Sequence, residues 1–152
     1  GLEGLPRVTN DELQLAHKLL TSLYGINYLT NQQLITFLRL SNNYILGREL
    51  DVDVPVEPFS GFTNLKSLNL ATNHISFINN AFFDGLGDLT ELTLNNNHIS
   101  MLATEAFSKL VSLKVLSITN NCLPPMTSRE FRTDYTIGQN VVLRINPQRS
   151  CG

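Results

Sequence analysis

Residues 64–87 read NLKSLNLATNHISFINNAFFDGLG, residues 88–111 read DLTELTLNNNHISMLATEAFSKLV, and residues 112–135 read SLKVLSITNNCLPPMTSREFRTDY. The three stretches align without a gap at a period of 24. Leu65, Leu89 and Leu113 share a column, as do Asn73, Asn97 and Asn121, and Phe83, Phe107 and Phe131. Nine of 24 positions are identical between the first two copies, and they are mostly the apolar columns and the run around the asparagine. A fixed period of about 20–29 residues with the pattern L-x-x-L-x-L-x-x-N-x-L belongs to a chain that coils, one copy per turn.

Each column has a mechanical job. In the second copy Leu92 and Leu94 alternate with Glu91, Thr93 and Asn95, and a period of two is a strand. So short a strand is stable only beside its copies in the neighbouring turns. Asn97 follows it, and an asparagine amide can satisfy backbone groups where a chain leaves a strand. Stacked with Asn43, Asn73 and Asn121, it predicts a buried ladder. Ile99, Leu102, Phe107 and Leu110 fill the core on the return path.

The pattern resembles the leucine-rich repeat family, in its 24-residue, extracellular-type subclass, which adds a phenylalanine ten residues after the asparagine. The resemblance implies an α/β solenoid: a right-handed horseshoe with a parallel sheet on its concave side, used for binding rather than catalysis. Asn43, with Ile35, Leu38 and Leu40 before it and Ile45 after it, marks an earlier turn. Asn43 and Phe59 stand 16 apart rather than ten, so this turn carries a six-residue insertion at about 46–57. Val141, Leu143 and Asn146 fit a closing strand 25 residues after Asn121. Strands are expected near Leu38–Leu40, Leu68–Leu70, Leu92–Leu94, Leu116–Ile118 and Val141–Leu143. Repeats need neighbours and capped ends. One domain over 1–152 is therefore expected, with an N-terminal cap over 1–30, repeats over 31–135, and a closing strand with a short C-terminal cap over 136–152. The N-terminal cap reads as a helix. Thr9 or Asn10 is its N-cap, Asp11 and Glu12 form its first turn, Leu13, Ala16, Leu19, Leu20 and Leu23 keep helical spacing, and Gly25 stops it. Residues 1–6 read as a flexible lead or expression remnant.

Composition narrows the function. Charged residues are 16% of the chain and the net charge is −2, so no strong field draws it to nucleic acid or anionic membrane. No apolar run approaches the roughly 18 residues of a membrane span. The acidic group Glu49, Asp51, Asp53 and Glu57 reads as a solvated loop rather than a calcium site. There is no nucleophile elbow, phosphate loop or dinucleotide fingerprint. Neither catalytic residues nor a cofactor are expected. His74, His98 and Cys122 share a column, but no fourth ligand is evident and no metal is expected. His17 reads as a partly exposed helix residue.

Cys122 and Cys151 are the two cysteines. Asn146-Pro147 followed by Cys151 resembles the start of the cysteine-bearing C-terminal cap of extracellular leucine-rich repeat proteins, with one extra residue of spacing. A Cys122–Cys151 bridge is within reach; two unrelated thiols, or a cap whose other cysteines lie outside this sequence, are the alternatives. A bridge points to an extracellular or cell-surface setting, a cytoplasmic one being the alternative.

On this register the outward strand positions form three columns. They read Phe37, Ser67, Glu91, Val115, Asn140; then Arg39, Asn69, Thr93, Ser117, Val142; then Ser41, Ala71, Asn95, Thr119, Arg144. A rigid sheet loses little ordering entropy on binding and suits a flat or convex protein surface. The expected anchors are Phe37, Arg39, Glu91, Thr93, Asn95, Val115 and Arg144, on a monomer or weak oligomer that binds a protein and neither nucleic acid nor the membrane interior. The alternatives are a plain solvated sheet whose binding surface lies elsewhere, and a scaffold or excised solenoid fragment with no ligand of its own.

Overall fold

The computed structural model describes residues 11–23, 25–47 and 57–151. Its strands, in chain order, are β1 (Glu12–Gln14), β2 (Phe37–Arg39), β3 (Leu46–Gly47), β4 (Ser67–Asn69), β5 (His74–Ile75), β6 (Phe77–Ile78), β7 (Glu91–Thr93), β8 (Met101–Leu102), β9 (Val115–Ser117) and β10 (Val142–Arg144). Six of them form one sheet in the order β1-β2-β4-β7-β9-β10, and every neighbouring pair is parallel. The register runs Leu13, Leu38, Leu68, Leu92, Leu116, Leu143. Two-residue parallel pairs, β3 with β5 and β6 with β8, tie the return paths together. This is a parallel β-solenoid, one turn per repeat.

Inside the coil the leucine columns meet the phenylalanines. Phe59, Phe83 and Phe131 are fully buried, and Phe107 nearly so. The Phe83 and Phe107 rings lie 6.0 Å apart and almost parallel, with Phe131 6.2 Å from Phe107. Burying one such side chain stabilises the fold by about 1.5–3 kcal/mol, and a column of them links each turn to the next. The last phenylalanine is carried by a short helix, α1 (Ser128–Asp134). Its start is a reciprocal cap: Thr127 Oγ1 accepts from the Glu130 N–H, and the Glu130 carboxylate accepts from the Thr127 N–H.

The N-terminal region corrects the expected helix. Residues 12–14 are strand β1, paired with β2, and Leu15 N and His17 N continue the ladder onto Arg39 O and Ser41 O. Asp11, His17 and Leu19 have positive φ, which a helix does not accommodate. Leu13, Leu15 and Leu20 stand 25 residues before Leu38, Leu40 and Ile45, so they are a further repeat. Helical spacing of Leu13, Ala16, Leu20 and Leu23 was an accident of the same apolar columns. Gly25 stops no helix; it precedes a 3-10 turn at Ile26–Tyr28 with φ 92°. Thr9, Asn10 and the lead over 1–6 lie outside the described residues, as do Glu49, Asp51 and Asp53 of the insertion.

The closing strand is found two residues later than expected. Val142 pairs with Val115 and Arg144 with Ser117. Asn146 is therefore not the ladder residue; Gln148 is. Its Oε1 accepts from Asn121 N at 3.1 Å, and its Nε2 donates to Ile118 O and Ile145 O. A slip of two keeps every side chain on its own face of the sheet, so the alternation of Val141, Leu143 and Ile145 could not reveal it.

Cys122 and Cys151 are joined in a disulfide with their Cα atoms 5.5 Å apart. The bridge spans a sequence separation of 29 and pins the last segment to the coil. We expect the oxidised chain to show no free thiol under denaturing conditions, and reduction to lower its stability by about 2–4 kcal/mol. Two free thiols in material purified without reductant would contradict this.

Candidate interaction surface

The long sheet offers one face to solvent. Its first outward column, along the paired strands, is Glu12, Phe37, Ser67, Glu91, Val115, Val142; its second is Gln14, Arg39, Asn69, Thr93, Ser117, Arg144. Phe37 and Val142 are 45% and 49% exposed, large apolar groups in the second and last places of the first column. Glu91, Arg39 and Arg144 are exposed, Val115 and Thr93 half-buried, and Ser117 buried. Strand register brings Phe37, Arg39, Glu91, Thr93 and Val115 onto one surface. Arg144 lies there too, in the second column rather than the third, and Asn140 falls outside the strand.

Two of the expected anchors, Arg39 and Asn95, are already engaged. Arg39 Nε lies 2.5 Å from Glu12 Oε1. Both partners are well exposed, and such a pair is worth little in stability; its effect is to order both groups across β1 and β2. Asn95 turns its Oδ1 into the next coil, accepting from Ser117 Oγ and Thr119 N, both at 2.8 Å. Glu12 and Gln14 belong to this face, and the sequence reading missed them by placing them in a helix. The signal was present: Leu13 and Leu15 sit at the repeat spacing.

Behind the strands lies the asparagine column. Asn43, Asn73, Asn97 and Asn121 are all buried. Asn97 is representative. Its Nδ2 donates to Leu70 O at 3.0 Å and Leu94 O at 3.1 Å, and its Oδ1 accepts from Ile75 N at 3.1 Å. Each amide thus serves groups of the preceding turn as well as its own. Asn43 does this for the first described turn, accepting from Lys18 N and Leu20 N.

One residue past the ladder, Tyr44, His74 and His98 stack in a column, with ring centroids 5.4 and 5.2 Å apart. Cys122 continues that column, but its sulfur is bonded to Cys151 and offers no thiolate. Among the described residues no group of three or more His, Cys, Asp or Glu is placed to hold a metal ion, and no helix is long and apolar enough to cross a membrane.

Several solved structures share the fold. The Toll–Spatzle complex of Drosophila in its glycosylated form matches with a TM-score of 0.74 at 22% identity, over 90% of this chain and 18% of that one. A second structure of the Toll–Spatzle complex matches with a TM-score of 0.63 at 22% identity, over 81% of this chain and 17% of that one. A TLR13–ssRNA13 complex matches with a TM-score of 0.66 at 22% identity, over 95% of this chain and 22% of that one. The chain thus spans about a fifth of the length of the structures it matches. No curated protein sequence matches it. The leucine rich repeat model matches residues 35–99 and 87–132, which together make up more than half of the sequence. The chain belongs to the leucine-rich repeat family.

Proposed function

We propose that this chain is a non-enzymatic recognition module that binds a protein through the solvent face of its long sheet. The observation that carries the reading is the sheet itself: six parallel strands present two regular columns of side chains on a rigid backbone. Phe37, Val115 and Val142 give that face apolar contacts, and Glu91, Arg39 and Arg144 give it charges of both signs. Aromatic and arginine side chains supply most of the energy at protein interfaces, and a fixed platform loses little entropy on docking. Thr93 lies between these anchors, and Asn95, its amide oxygen committed to Ser117, shapes the rim.

The matched Toll structures hold a protein, Spatzle, and the TLR13 structure holds a single-stranded RNA. The face described here favours the former. Its two arginines are in different strands, one is held by Glu12, and Glu91 sits between them. Backbone tracking along a nucleic acid calls for a basic stripe. The disulfide fits an oxidising, extracellular or cell-surface setting.

The test starts with the oxidised chain as immobilised bait in extracellular and cytosolic extracts. A partner so found is then measured against Phe37→Ala/Glu91→Ala/Arg144→Ala. The triple variant keeps the parent's melting curve and binds at least ~10-fold more weakly, as loss of interface anchors demands. Undiminished binding would remove the partner from this face and leave the insertion at 46–57 as the next place to look.

A further inference from the structure

A groove of about 410 Å³ runs across the turns along the asparagine ladder, lined by residues that follow the strands of the long sheet. All three histidines of the chain, His17, His74 and His98, line it, together with Tyr44 and Arg149. Asparagine and threonine side chains complete the lining, and none of the described residues in it is acidic. The groove carries the Arg149 cation and no described carboxylate, whereas the chain as a whole has a net charge of −2.

The backbone explains the shape. His17, Asn42, Thr72, Asn96 and Asn120, the residues before each ladder position, all have φ between 57° and 59°. Each turn therefore bends sharply at the same place, and the bends stack into one wall. The ring column of Tyr44, His74 and His98 forms the other wall. Because these rings stack on one another, their facing sides are covered; His74 Nδ1 and His98 Nε2 lie within hydrogen-bond distance of each other, which leaves His74 Nε2 and His98 Nδ1 for a ligand. At the C-terminal end Arg149 closes the groove. Its guanidinium donates to Asn97 O, its N–H donates to Asn121 O, and the Cys122–Cys151 bridge holds the segment two residues away. The cation is thus positioned by fixed contacts.

We propose that this groove is an oxyanion-binding site that takes a carboxylate, phosphate or sulfate group, and that it binds more tightly as pH falls through the imidazole range. His74 Nδ1 and His98 Nε2 lie 3.2 Å apart, so two protonated rings repel unless an anion lies against them. Partial burial, then the Arg149 charge, then His74 hold the His98 pKa below the ordinary imidazole value. With the groove empty, the unfolded chain takes that proton first. Stability is then lost as pH falls from about 6.5 toward the lowered folded value. An anion in the groove offsets the repulsion and restores it.

Sodium sulfate is the first probe, because its charge is constant between about pH 5.5 and about pH 8, where histidine titrates. Imidazole proton resonances are followed by NMR during the titration, with sodium chloride at matched ionic strength as the reference. We expect saturable shifts of His74 and His98, an affinity at least ~10-fold higher at the lower pH, and a larger rise in melting temperature there. The variants His98→Gln and Arg149→Gln, checked for the parent's melting profile, each weaken binding at least ~10-fold. His98 lies at the surface and its replacement leaves the ladder intact, so it keeps the test valid if Arg149→Gln unfolds. A parallel titration with sodium formate separates the sources: saturation by sulfate alone identifies a tetrahedral anion, saturation by formate alone a carboxylate. Shifts that are linear, equal to those in chloride, or unchanged in both variants overturn the proposal.

Discussion

Asn97→Ala destabilises the fold by about 3 kcal/mol, as expected for an orphaned buried donor together with lost hydrogen bonds. Asn97 is fully buried, with three strong backbone contacts, to Leu70 O, Leu94 O and Ile75 N. They are not equal in consequence. Leu70 O also accepts from Asn73 Nδ2, and Leu94 O also accepts from Asn121 Nδ2. Those carbonyls keep a partner when Asn97 is removed. The Ile75 N–H does not keep its acceptor, because its neighbours His74 N and Ser76 N already pair with Ile45 O and Gly47 O. The orphaned group is one amide in a dry part of the coil.

Asn95→Ala is the matched control. The side chain is the same, two residues away, and it too makes hydrogen bonds, to Ser117 Oγ and Thr119 N. From the sequence Asn95 reads as an outward residue whose loss costs little, and those two bonds raise the expectation to about 1 kcal/mol. It stays below Asn97 because Asn95 is half-exposed and water can replace its oxygen. Urea unfolding of both variants measures the difference. Equal midpoints would mean that burial of the ladder contributes nothing beyond the bonds themselves.

The repeat register was readable because a coil imposes the same environment on the same column of every turn. Leu68, Leu92 and Leu116 occupy paired positions, as their 24-residue spacing required. The two misreadings have different causes: helical spacing of Leu13, Ala16, Leu20 and Leu23 hid the first strand, and an asparagine set the register of the closing one. The first described turn has Lys18 at the ladder position, and its N–H is served by Asn43 of the next turn. A ladder amide reaches back to the turn before it, so the first described turn is served without an asparagine of its own. At the other end Asn146 drew the register, while Gln148, longer by one methylene, does the bonding. Helix α1 was also missed, although Thr127 and Glu130 carry the capping signature, because the repeat was read as the whole account of that stretch. The candidate surface was half legible. Strand alternation told which residues face out, whereas the Glu12–Arg39 pair and the groove depend on which turns lie side by side.

Gly85→Ala tests whether the turns are packed as tightly as that register implies, and it is expected to cost about 3 kcal/mol or more. Two penalties coincide at this residue. Its φ is +90°, where an L side chain is strained, which accounts for about 1–2 kcal/mol. A Cβ built there would lie 2.7 Å from Ser60 Cα and 2.8 Å from Ser60 O, in the turn before. Those are backbone atoms, so relief requires one coil to move against another rather than a side chain to swing aside. Gly61, in the same repeat column, is different: its Cβ would meet Gln32 Oε1, the far end of a flexible side chain. In the next copy the column holds Lys109, whose φ is not positive, so the glycine reflects a local bend and not the repeat as such. Gly87 lies two residues on, with nothing within 4 Å of a built Cβ. Gly87→Ala is therefore expected within about 0.5 kcal/mol of the parent, or slightly stabilising through the unfolded chain. Thermal and urea unfolding of the two alanine variants decide the matter. If both melt with the parent, the coils around Ser60 and Gly85 have room to spare, and the close stacking that fixes the position of every outward column is wrong.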